Sequence, residues 1–180
     1  LGLTQDWHTT TNWSPAGLPT ATDDVTIPVT ANQPIMSATG TARNLTVASG
    51  VLLNLNSFNL TVNGDVSAPN ATSFIGGGGT LVLAGTARSI GGTLSGALPV
   101  NVTGTYMLSS RTVIGNLTVS GTGDLAPIGN TLVVSAALST TGSGTLTMTD
   151  PLDSVLVTGA AIFGGGFTGE GKSASAADKV

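Results

Sequence analysis

The sequence predicts an all-β protein whose chain winds into a parallel β-solenoid (β-helix), with an antiparallel β-sandwich as the alternative fold. Three observations favour the solenoid. Charged residues that favour helices are scarce, short stretches alternate apolar and polar residues, and the phrase Asn-Leu-Thr-Val recurs along the chain. In a solenoid each full turn of the coil, here called a rung, stacks on the previous one and contacts only its neighbours.

The composition argues against helices. Only 8% of the 180 residues are charged, whereas a soluble globular domain carries about 25%. The chain contains one Glu, Glu170, and two Lys, Lys172 and Lys179, although Glu and Lys are among the residues that best favour helices. The 26 Gly residues instead predict a chain that turns often.

Short segments with a period of two predict the strands. Each places two aliphatic residues on one face and usually a polar residue on the other, as a strand with one buried face does. Turn residues, mainly Gly, Asn and Ser, separate these segments. The predicted strands are 25–27, 45–47, 60–62, 81–83, 100–102, 117–119, 132–134 and 146–148.

A comparison of the sequence with itself favours the solenoid over the sandwich. Residues 44–47 and residues 116–119 both read Asn-Leu-Thr-Val. Rungs of about 18 or about 24 residues explain the distance along the chain between the two copies, since a whole number of rungs of either length fits into that distance. The longer rung is favoured because Leu45, Leu53 and Leu60 then mark three strands within one rung.

Stacking of rungs explains why low charge and repeated phrases occur together. Successive rungs lie about 4.8 Å apart, so equivalent positions form columns of similar residues. Aliphatic columns give a continuous core, whereas columns of like charge repel. Asn at the corners can bond its own turn or bond along the stack.

The chain divides into three predicted segments. Residues 1–23 carry Trp7 and Trp13 and are expected to cap the first rung. Residues 24–167 are expected to form the rungs, and the small, polar residues 168–180 to form a tail or linker. An open last rung would present unpaired backbone groups, which predicts end-to-end stacking of copies into filaments.

Two stretches resemble secreted bacterial β-helix surface proteins, in particular autotransporter passenger regions and adhesins with a Trp-rich N-terminal cap. They are NWSPAGLPTATDDVTI at 12–27 and NLTVASGVLLNLNSFNLTVNGDV at 44–66. The resemblance rests on motifs over roughly residues 7–67. Over the rest of the chain it rests only on general composition and on the alternation of apolar and polar residues. It implies a right-handed parallel β-helix, an extracellular or cell-surface location and a role in adhesion or surface structure. The matching motifs are packing and turn signals, so the resemblance transfers no catalytic residue.

His8 and Asp6 are the first residues to weigh as a chemical site. A metal site needs three or four converging ligands, and a hydrolytic triad needs a nucleophile that the His orients. The sequence around His8, the only His, shows neither. A His in the predicted cap is the better interpretation.

The acidic residues are candidates for a glycosidase or lyase site, since that chemistry needs paired carboxylates. With three Arg in the chain, a cluster of carboxylates and basic residues is hard to assemble, and turn positions are the better interpretation. Asp150 and Asp153 lack the spaced oxygen ligands of a calcium loop, and the Gly-rich stretch at 75–80 lacks the Lys-Ser/Thr of a phosphate loop. The candidate acidic positions for such a site are Asp23, Asp24, Asp65, Asp124, Asp150 and Asp153.

The sequence therefore predicts no catalytic, cofactor-binding or metal-binding residue, no cofactor and no enzymatic activity. A net charge of −4 gives no basic surface for nucleic acid, and no apolar run is long enough to span a membrane. The expected function is that of a secreted bacterial structural or adhesive solenoid. Its expected partners are further copies of itself, a surface glycan or a host ligand.

Two other binding functions stay open as alternatives. A partial column of outward Thr residues on one sheet favours an ice-binding surface, and a groove with clustered Asp and exposed aromatic residues would favour a carbohydrate-active enzyme or carbohydrate-binding module. The simpler interpretation of the column is that Thr favours exposed strand faces. Its members are Thr26, Thr46, Thr61, Thr118 and Thr147.

Overall fold

A computed structural model describes residues 4–69, 74–94, 98–169 and 175–176, and these form a β-solenoid. Every strand pair among them is parallel, from β1 with β3 near one end to β17 with β20 near the other. The solenoid prediction is confirmed, and the antiparallel sandwich is wrong. The described segments also contain one short 3₁₀ helix, Thr10–Asn12.

The strands are mostly two to four residues long, and all eight predicted segments lie in strands. Their bounds are β1 Val25–Ile27, β2 Gly40–Ala42, β3 Leu45–Val47, β4 Leu53–Asn54, β5 Leu60–Val62, β6 Val66–Ala68, β7 Phe74–Ile75, β8 Leu81–Leu83, β9 Arg88–Thr93, β10 Pro99–Val102, β11 Thr105–Ile114, β12 Asn116–Val119, β13 Asp124–Ala126, β14 Thr131–Val134, β15 Leu138–Thr140, β16 Thr145–Met148, β17 Ser154–Val157, β18 Ala161–Phe163, β19 Gly166–Gly169 and β20 Ser175–Ala176.

The coil has three sides. Side 1 runs in the order β1-β3-β6-β9-β11-β13-β16-β19, and side 2 runs β2-β5-β8-β10-β12-β15-β18. Side 3 begins with the pair β4 and β7 and continues as β14, β17 and β20. The long strand β11 joins sides 1 and 3, because its first half pairs with β13 and its second half with β14.

The rungs are not uniform in length, which corrects the repeat inferred from the sequence. A short rung separates Val100 from its partner Leu117, and a longer one separates Val66 from Ile90. The shift that superimposes the two Asn-Leu-Thr-Val phrases aligns β3 of side 1 with β12 of side 2, so it does not relate equivalent rungs. Strands of both sides need side chains that point inward, outward and inward in turn. The phrase Leu-Thr-Val indicates that alternation but does not indicate on which side the strand lies.

The three sides within one rung are placed as predicted. Leu45 lies in β3 of side 1, Leu53 in β4 of side 3 and Leu60 in β5 of side 2. Leu45 then pairs with Val66 in the next rung. The three Leu residues therefore mark the three walls of one rung.

Inward-facing aliphatic residues form columns that run the length of the coil. On side 2 these residues pair in register from rung to rung, and each is at most 2% exposed. Such columns exclude water and make one continuous core. The two columns of side 2 contain Leu60, Leu81, Val100, Leu117 and Leu138, and Val62, Leu83, Val102 and Val119.

One corner of the coil is a column of Gly residues, one from each successive rung. A Cβ atom at any of these positions would collide with a backbone carbonyl group of the preceding rung. The corner therefore requires Gly for close approach of backbones. The column, here called the Gly corner, comprises Gly64, Gly85, Gly104, Gly123, Gly144 and Gly165.

The recurring Asn residues link successive rungs. The side-chain carbonyl oxygens of Asn44, Asn59 and Asn116 each accept a backbone N–H from the residue 21 positions later, at 2.7, 3.1 and 3.3 Å. The Asn of each Asn-Leu-Thr-Val phrase thus bonds along the stack, which is one of the two roles expected from the sequence.

The segment predicted to be a polar tail contributes to the sheets. The boundary placed between residues 167 and 168 falls inside β19, where Thr168 pairs with Thr147 as Phe167 pairs with Leu146. Further on, β20 pairs with β17. Small residues can continue a rung here because strand pairing needs only backbone groups.

Candidate functional site

The N-terminal end of the coil carries both Trp residues. Trp7 is 2% exposed and belongs to the core, and its ring meets that of Trp13 edge to face at 4.7 Å between centroids. Trp13 Nε1 donates a hydrogen bond to the Trp7 carbonyl oxygen at 2.8 Å. The indole of Trp7 fits beside Gly40, where a Cβ would lie 3.2 Å from Nε1. The pair thus covers part of the first rung, which is where a cap would lie.

The N-terminal segment also joins side 3 as a strand-like partner. Asp6 forms a parallel bridge with Ile35, which in turn bridges to Asn54. Trp7 donates its backbone N–H to the Ile35 carbonyl oxygen at 2.9 Å. The open edge of side 3 is therefore occupied at this end.

Asp6, His8 and Ser37 form a polar cluster beside this bridge. Ser37 Oγ donates to Asp6 Oδ1 at 2.6 Å and lies 3.3 Å from His8 Nδ1. His8 Nε2 lies 3.0 Å from the Thr39 carbonyl oxygen, so Nε2 carries the proton. The bonds from Ser37 and from the His8 backbone N–H hold the pKa of the Asp6 carboxyl below its ordinary value.

This cluster does not have the connectivity of a hydrolytic triad. In a triad the His accepts the proton of the nucleophile and its other nitrogen faces the carboxylate. Here the Ser37 hydroxyl donates to Asp6 at the shorter distance, and the second His8 nitrogen faces a backbone carbonyl. The three residues fasten the N-terminal segment to residues 35–39. Ser37 could not have been identified from the sequence, because no motif connects it with His8.

A cleft of about 850 Å³ lies between the N-terminal segment and the first strand of side 1. Its lining includes the apolar residues Trp13 and Leu18 and, from β1, Val25, Thr26 and Ile27. Val25 and Ile27 point inward and Thr26 points outward. Because residues of both orientations line it, the cleft follows the edge of β1 rather than one of its faces.

Two carboxylates stand at the rim of this cleft. Asp23 accepts hydrogen bonds from the Thr20 hydroxyl at 2.6 Å and the Thr20 backbone N–H at 2.8 Å, and these hold its pKa below the ordinary value. Asp24 accepts two hydrogen bonds from the Arg43 guanidinium, at 2.7 and 2.6 Å, and these are the main cause of its lowered pKa. Both residues are exposed and negative at neutral pH, and Arg43 balances only one of them.

The remaining predicted acidic positions are engaged within the structure. Asp65 accepts the Ser89 backbone N–H at 2.7 Å, and Asp124 accepts the hydroxyls of two Thr residues, each at 2.7 Å. Asp153, 4% exposed, accepts the backbone N–H groups of Gly129 and Asp150 at 2.6 and 2.9 Å. Across the described parts of the chain, no three His, Cys, Asp or Glu residues lie close enough together to hold a metal ion.

The outward Thr residues do not form the single column expected from the sequence. Thr26, Thr46 and Thr147 lie on side 1, whereas Thr61 and Thr118 lie on side 2. The prediction of one column is wrong because the self-comparison assigned strands of different sides to one sheet.

The C-terminal end exposes residues that continue core columns. Phe163 pairs with the buried Thr140, and Phe167 pairs with the buried Leu146. Phe163 and Phe167 are 39% and 40% exposed, and their rings contact each other at 5.2 Å between centroids. In this part of the described coil an aromatic pair that water partly reaches therefore lies over the core columns.

Comparison with known proteins identifies one family. A family described as "Domain of unknown function (DUF8693)" matches residues 2–91. The chain belongs to this family. The DUF8693 match includes the Trp pair, the cleft and the strands from β1 to most of β9. No curated protein and no solved structure matches the chain. Among the residues that the structure describes, no helix is long and apolar enough to cross a membrane.

Proposed function

We propose that this protein is a non-catalytic, extracellular structural or adhesive β-solenoid, related in role to bacterial surface β-helix proteins. The observation that carries the proposal is how the polar groups are used. No buried side-chain nitrogen or oxygen in the described segments lacks a hydrogen-bond partner. The acidic side chains bond backbone and hydroxyl groups of the same or a neighbouring rung. A coil arranged in this way is a stiff support that presents side chains in fixed rows.

The composition and the resemblance of the N-terminal third support an extracellular setting. The chain has no Cys, so its folding does not depend on forming or reducing disulfides in its compartment. Low charge and exposed Thr and Ser rows suit a surface that contacts other surfaces. The resemblance to autotransporter and adhesin passengers, carried by residues 12–27 and 44–66, supports the same setting.

Association between copies forms part of this proposal, and the C-terminal end is the surface that favours it. Phe163 and Phe167 leave core positions partly exposed, and burying apolar area against a second copy stabilises association. The N-terminal segment occupies the edge of side 3 through Asp6 and Ile35. Contact between two copies through the surface around Phe163 and Phe167 is therefore favoured over a filament that also needs the N-terminal side to be open.

Location is tested by labelling the source cells with antibodies raised against the purified chain. We expect intact cells to be labelled, because the protein is exposed at the surface or released. Label that appears only after the cells are lysed would contradict the extracellular proposal.

Association is tested by sedimentation velocity and negative-stain electron microscopy over a concentration series. We expect rods of twice the single length, and fewer of them when Phe163 and Phe167 are both replaced by Ser. The replacement Leu152→Ser removes another exposed apolar side chain, 74% exposed, and is the matched control. Single particles at every concentration would contradict the association.

A further inference from the structure

We infer that the cleft at the N-terminal end binds an extended peptide segment of a partner protein, which adds as a strand to the free edge of β1. This inference goes beyond the structural role and does not depend on it. The site comprises β1, the apolar lining residues Trp13, Pro15 and Leu18, and the exposed carboxylates of Asp23 and Asp24.

The backbone of β1 offers hydrogen-bonding groups to the cleft. Among the described strands, β1 has one neighbour in its sheet, β3. Val25 donates its N–H to the Asn44 carbonyl oxygen at 2.8 Å, and the Ile27 carbonyl oxygen accepts the Ala48 N–H at 3.0 Å. In a parallel pair, alternate residues direct their backbone groups to opposite edges. The N–H and C=O of Thr26 therefore point away from β3, into the cleft that lines this edge.

The N-terminal end of the coil has room for one added strand and not for a whole rung of a second copy. Side 3 is closed by the bridge between Asp6 and Ile35. At side 2, Trp7 packs beside Gly40 and His8 Nε2 bonds the Thr39 carbonyl oxygen. Within the described residues of this end, the edge of side 1 is the one left facing the cleft, and it is three residues long. A single extended segment fits this opening, because strand addition needs only one free edge.

The walls of the cleft indicate the chemistry of the segment. Trp13, Pro15 and Leu18 line the same cleft as β1 and give it apolar side chains. Asp23 and Asp24 add two negative charges at the rim, of which Arg43 balances one. Strand-addition sites gain affinity from main-chain bonds and specificity from pockets for alternate side chains. The matching segment alternates apolar residues and carries a basic residue at its end.

The probe is the synthetic peptide acetyl-Lys-Val-Thr-Val-Thr-Val-Lys-amide, titrated into the full chain while tryptophan emission is recorded. Both Trp residues of the chain line the cleft, so the emission reports binding there. We expect a saturable change. A probe methylated on alternate backbone nitrogens should bind about tenfold more weakly or worse, since hydrogen bonds of the added strand are lost. A probe with Glu in place of both Lys residues should also bind more weakly because of the acidic rim.

The variant that tests the site is Thr26→Pro, and Thr46→Val, at an exposed position of β3 outside the cleft lining, is the control. Proline removes the free N–H and is tolerated on an edge strand whose N–H faces away from its partner, so binding should fall about tenfold or more. Thr46→Val changes no group of the cleft and should bind the probe as the unchanged chain does. Should Thr26→Pro fail to fold, the Thr26 amide resonance in the unchanged chain decides, and it should shift on addition of the probe.

Three results would overturn the proposal. The first is equal binding of the methylated and unmethylated probes. The second is the absence of a saturable signal together with an unmoved Thr26 amide. The third is association of the chain with itself that the probe displaces, which would assign the cleft to a second copy.

Discussion

The Asn of each Asn-Leu-Thr-Val phrase shows how a single side chain holds neighbouring rungs in register. Asn44, Asn59 and Asn116 all bond a backbone N–H of the following rung. A shorter residue could not reach that group, and at position 44 a carboxylate would lie against Asp24, to which Asn44 Nδ2 donates. The phrase recurs because one side chain both fits the corner and satisfies the next rung.

Replacing these Asn residues by Ala should destabilise the chain by roughly 0.5–1.5 kcal/mol each. The effect should be largest for Asn44, whose oxygen lies 2.7 Å from its donor and whose Nδ2 also donates to Asp24. It should be smallest for Asn116, at 3.3 Å. The free energy of unfolding from urea titration is the measurement.

Asn63→Ala is the matched control, because the Asn63 side chain makes no hydrogen bond among the described residues. If Asn63→Ala lowered the free energy of unfolding as much as Asn44→Ala, the hydrogen bond between rungs would contribute nothing to stability.

Tyr106 connects three successive rungs through one hydroxyl group. Its oxygen lies 2.9 Å from the Gly64 carbonyl oxygen and 3.1 Å from that of Val62, and accepts the Gly85 N–H at 3.2 Å. The side chain is 1% exposed. Burial raises the pKa of Tyr106 to about 12.

Stability should fall at high pH because of this residue. In the unfolded chain Tyr ionises near pH 10, whereas the folded chain holds the proton until about pH 12. The contribution of Tyr106 is therefore fully present below about pH 10 and is lost as the pH rises towards about 12. The absorbance of tyrosinate measures the ionisation of Tyr106 directly, since Tyr106 is the only Tyr in the chain.

Tyr106→Phe should remove that pH dependence and cost about 1–3 kcal/mol at neutral pH, because buried backbone groups lose their partner. Thr46→Val, at an exposed position without a side-chain bond among the described residues, is the control and should change stability by less than about 0.5 kcal/mol. A titration midpoint near the ordinary value for Tyr would contradict the buried position.

At the scale of elements, strands of mostly two to four residues are aligned by the Gly corner. Each Gly lets two backbones approach where a Cβ would strike a carbonyl group. One Gly from every rung between Gly64 and Gly165 stands in this column, which tolerates rungs of unequal length elsewhere. The corner therefore sets the register that short strands alone specify weakly.

Gly123→Ala should destabilise the chain by roughly 1–3 kcal/mol, since the added methyl meets the Val102 carbonyl oxygen and forces the backbone to shift. Gly164→Ala places its Cβ 3.2 Å from the Thr140 carbonyl oxygen. It should therefore destabilise the chain less than Gly123→Ala does. Thermal unfolding of both variants is the measurement. Equal losses would mean that close approach at the corner does not decide stability.

The sequence is sufficient to predict strands with regular alternation and insufficient for the others. Val25 to Ile27 and Leu81 to Leu83 have clear inward and outward positions, and both were predicted. The ten-residue β11 was not predicted, because three consecutive exposed residues, Ser109, Ser110 and Arg111, interrupt its alternation as it passes from side 1 to side 3. Local pattern identifies a strand, but its side depends on loop lengths that no local pattern records.

The candidate site was predictable only in part for the same reason. The Trp residues were predicted to lie at the first rung because their bulk and position suit a chain end. The approach of Ser37 to Asp6 and the cleft along β1 arise from pairing between Asp6 and Ile35, which are distant in the sequence. No sequence signal connects those two residues.

At the scale of the whole molecule, the two ends differ. An edge-to-face Trp pair covers the first rung, with Trp7 at 2% exposure, whereas Phe163 and Phe167 stay about 40% exposed near the other end of the described coil. Each rung is stabilised mainly by its neighbours. A rung covered on one side therefore opens more easily than one covered on both.

Amide hydrogen exchange should show this asymmetry. We expect the slowest exchange in the middle rungs around β10 and β12 and faster exchange in β18 and β19, because each of these two strands has one neighbour among the described strands. Mass spectrometry of peptic fragments after timed labelling is the measurement. Uniform protection from β10 to β19 would mean that the coil opens only as one unit.

The unequal rungs have a practical consequence for engineering. Pairing holds over the short rung from Val100 to Leu117 and over the longer rung from Val66 to Ile90 alike, so the bends between walls absorb insertions without disturbing the ladder. Foreign loops grafted at such bends would be displayed at fixed heights along the axis. The molecule could then serve as a ruler for spacing epitopes.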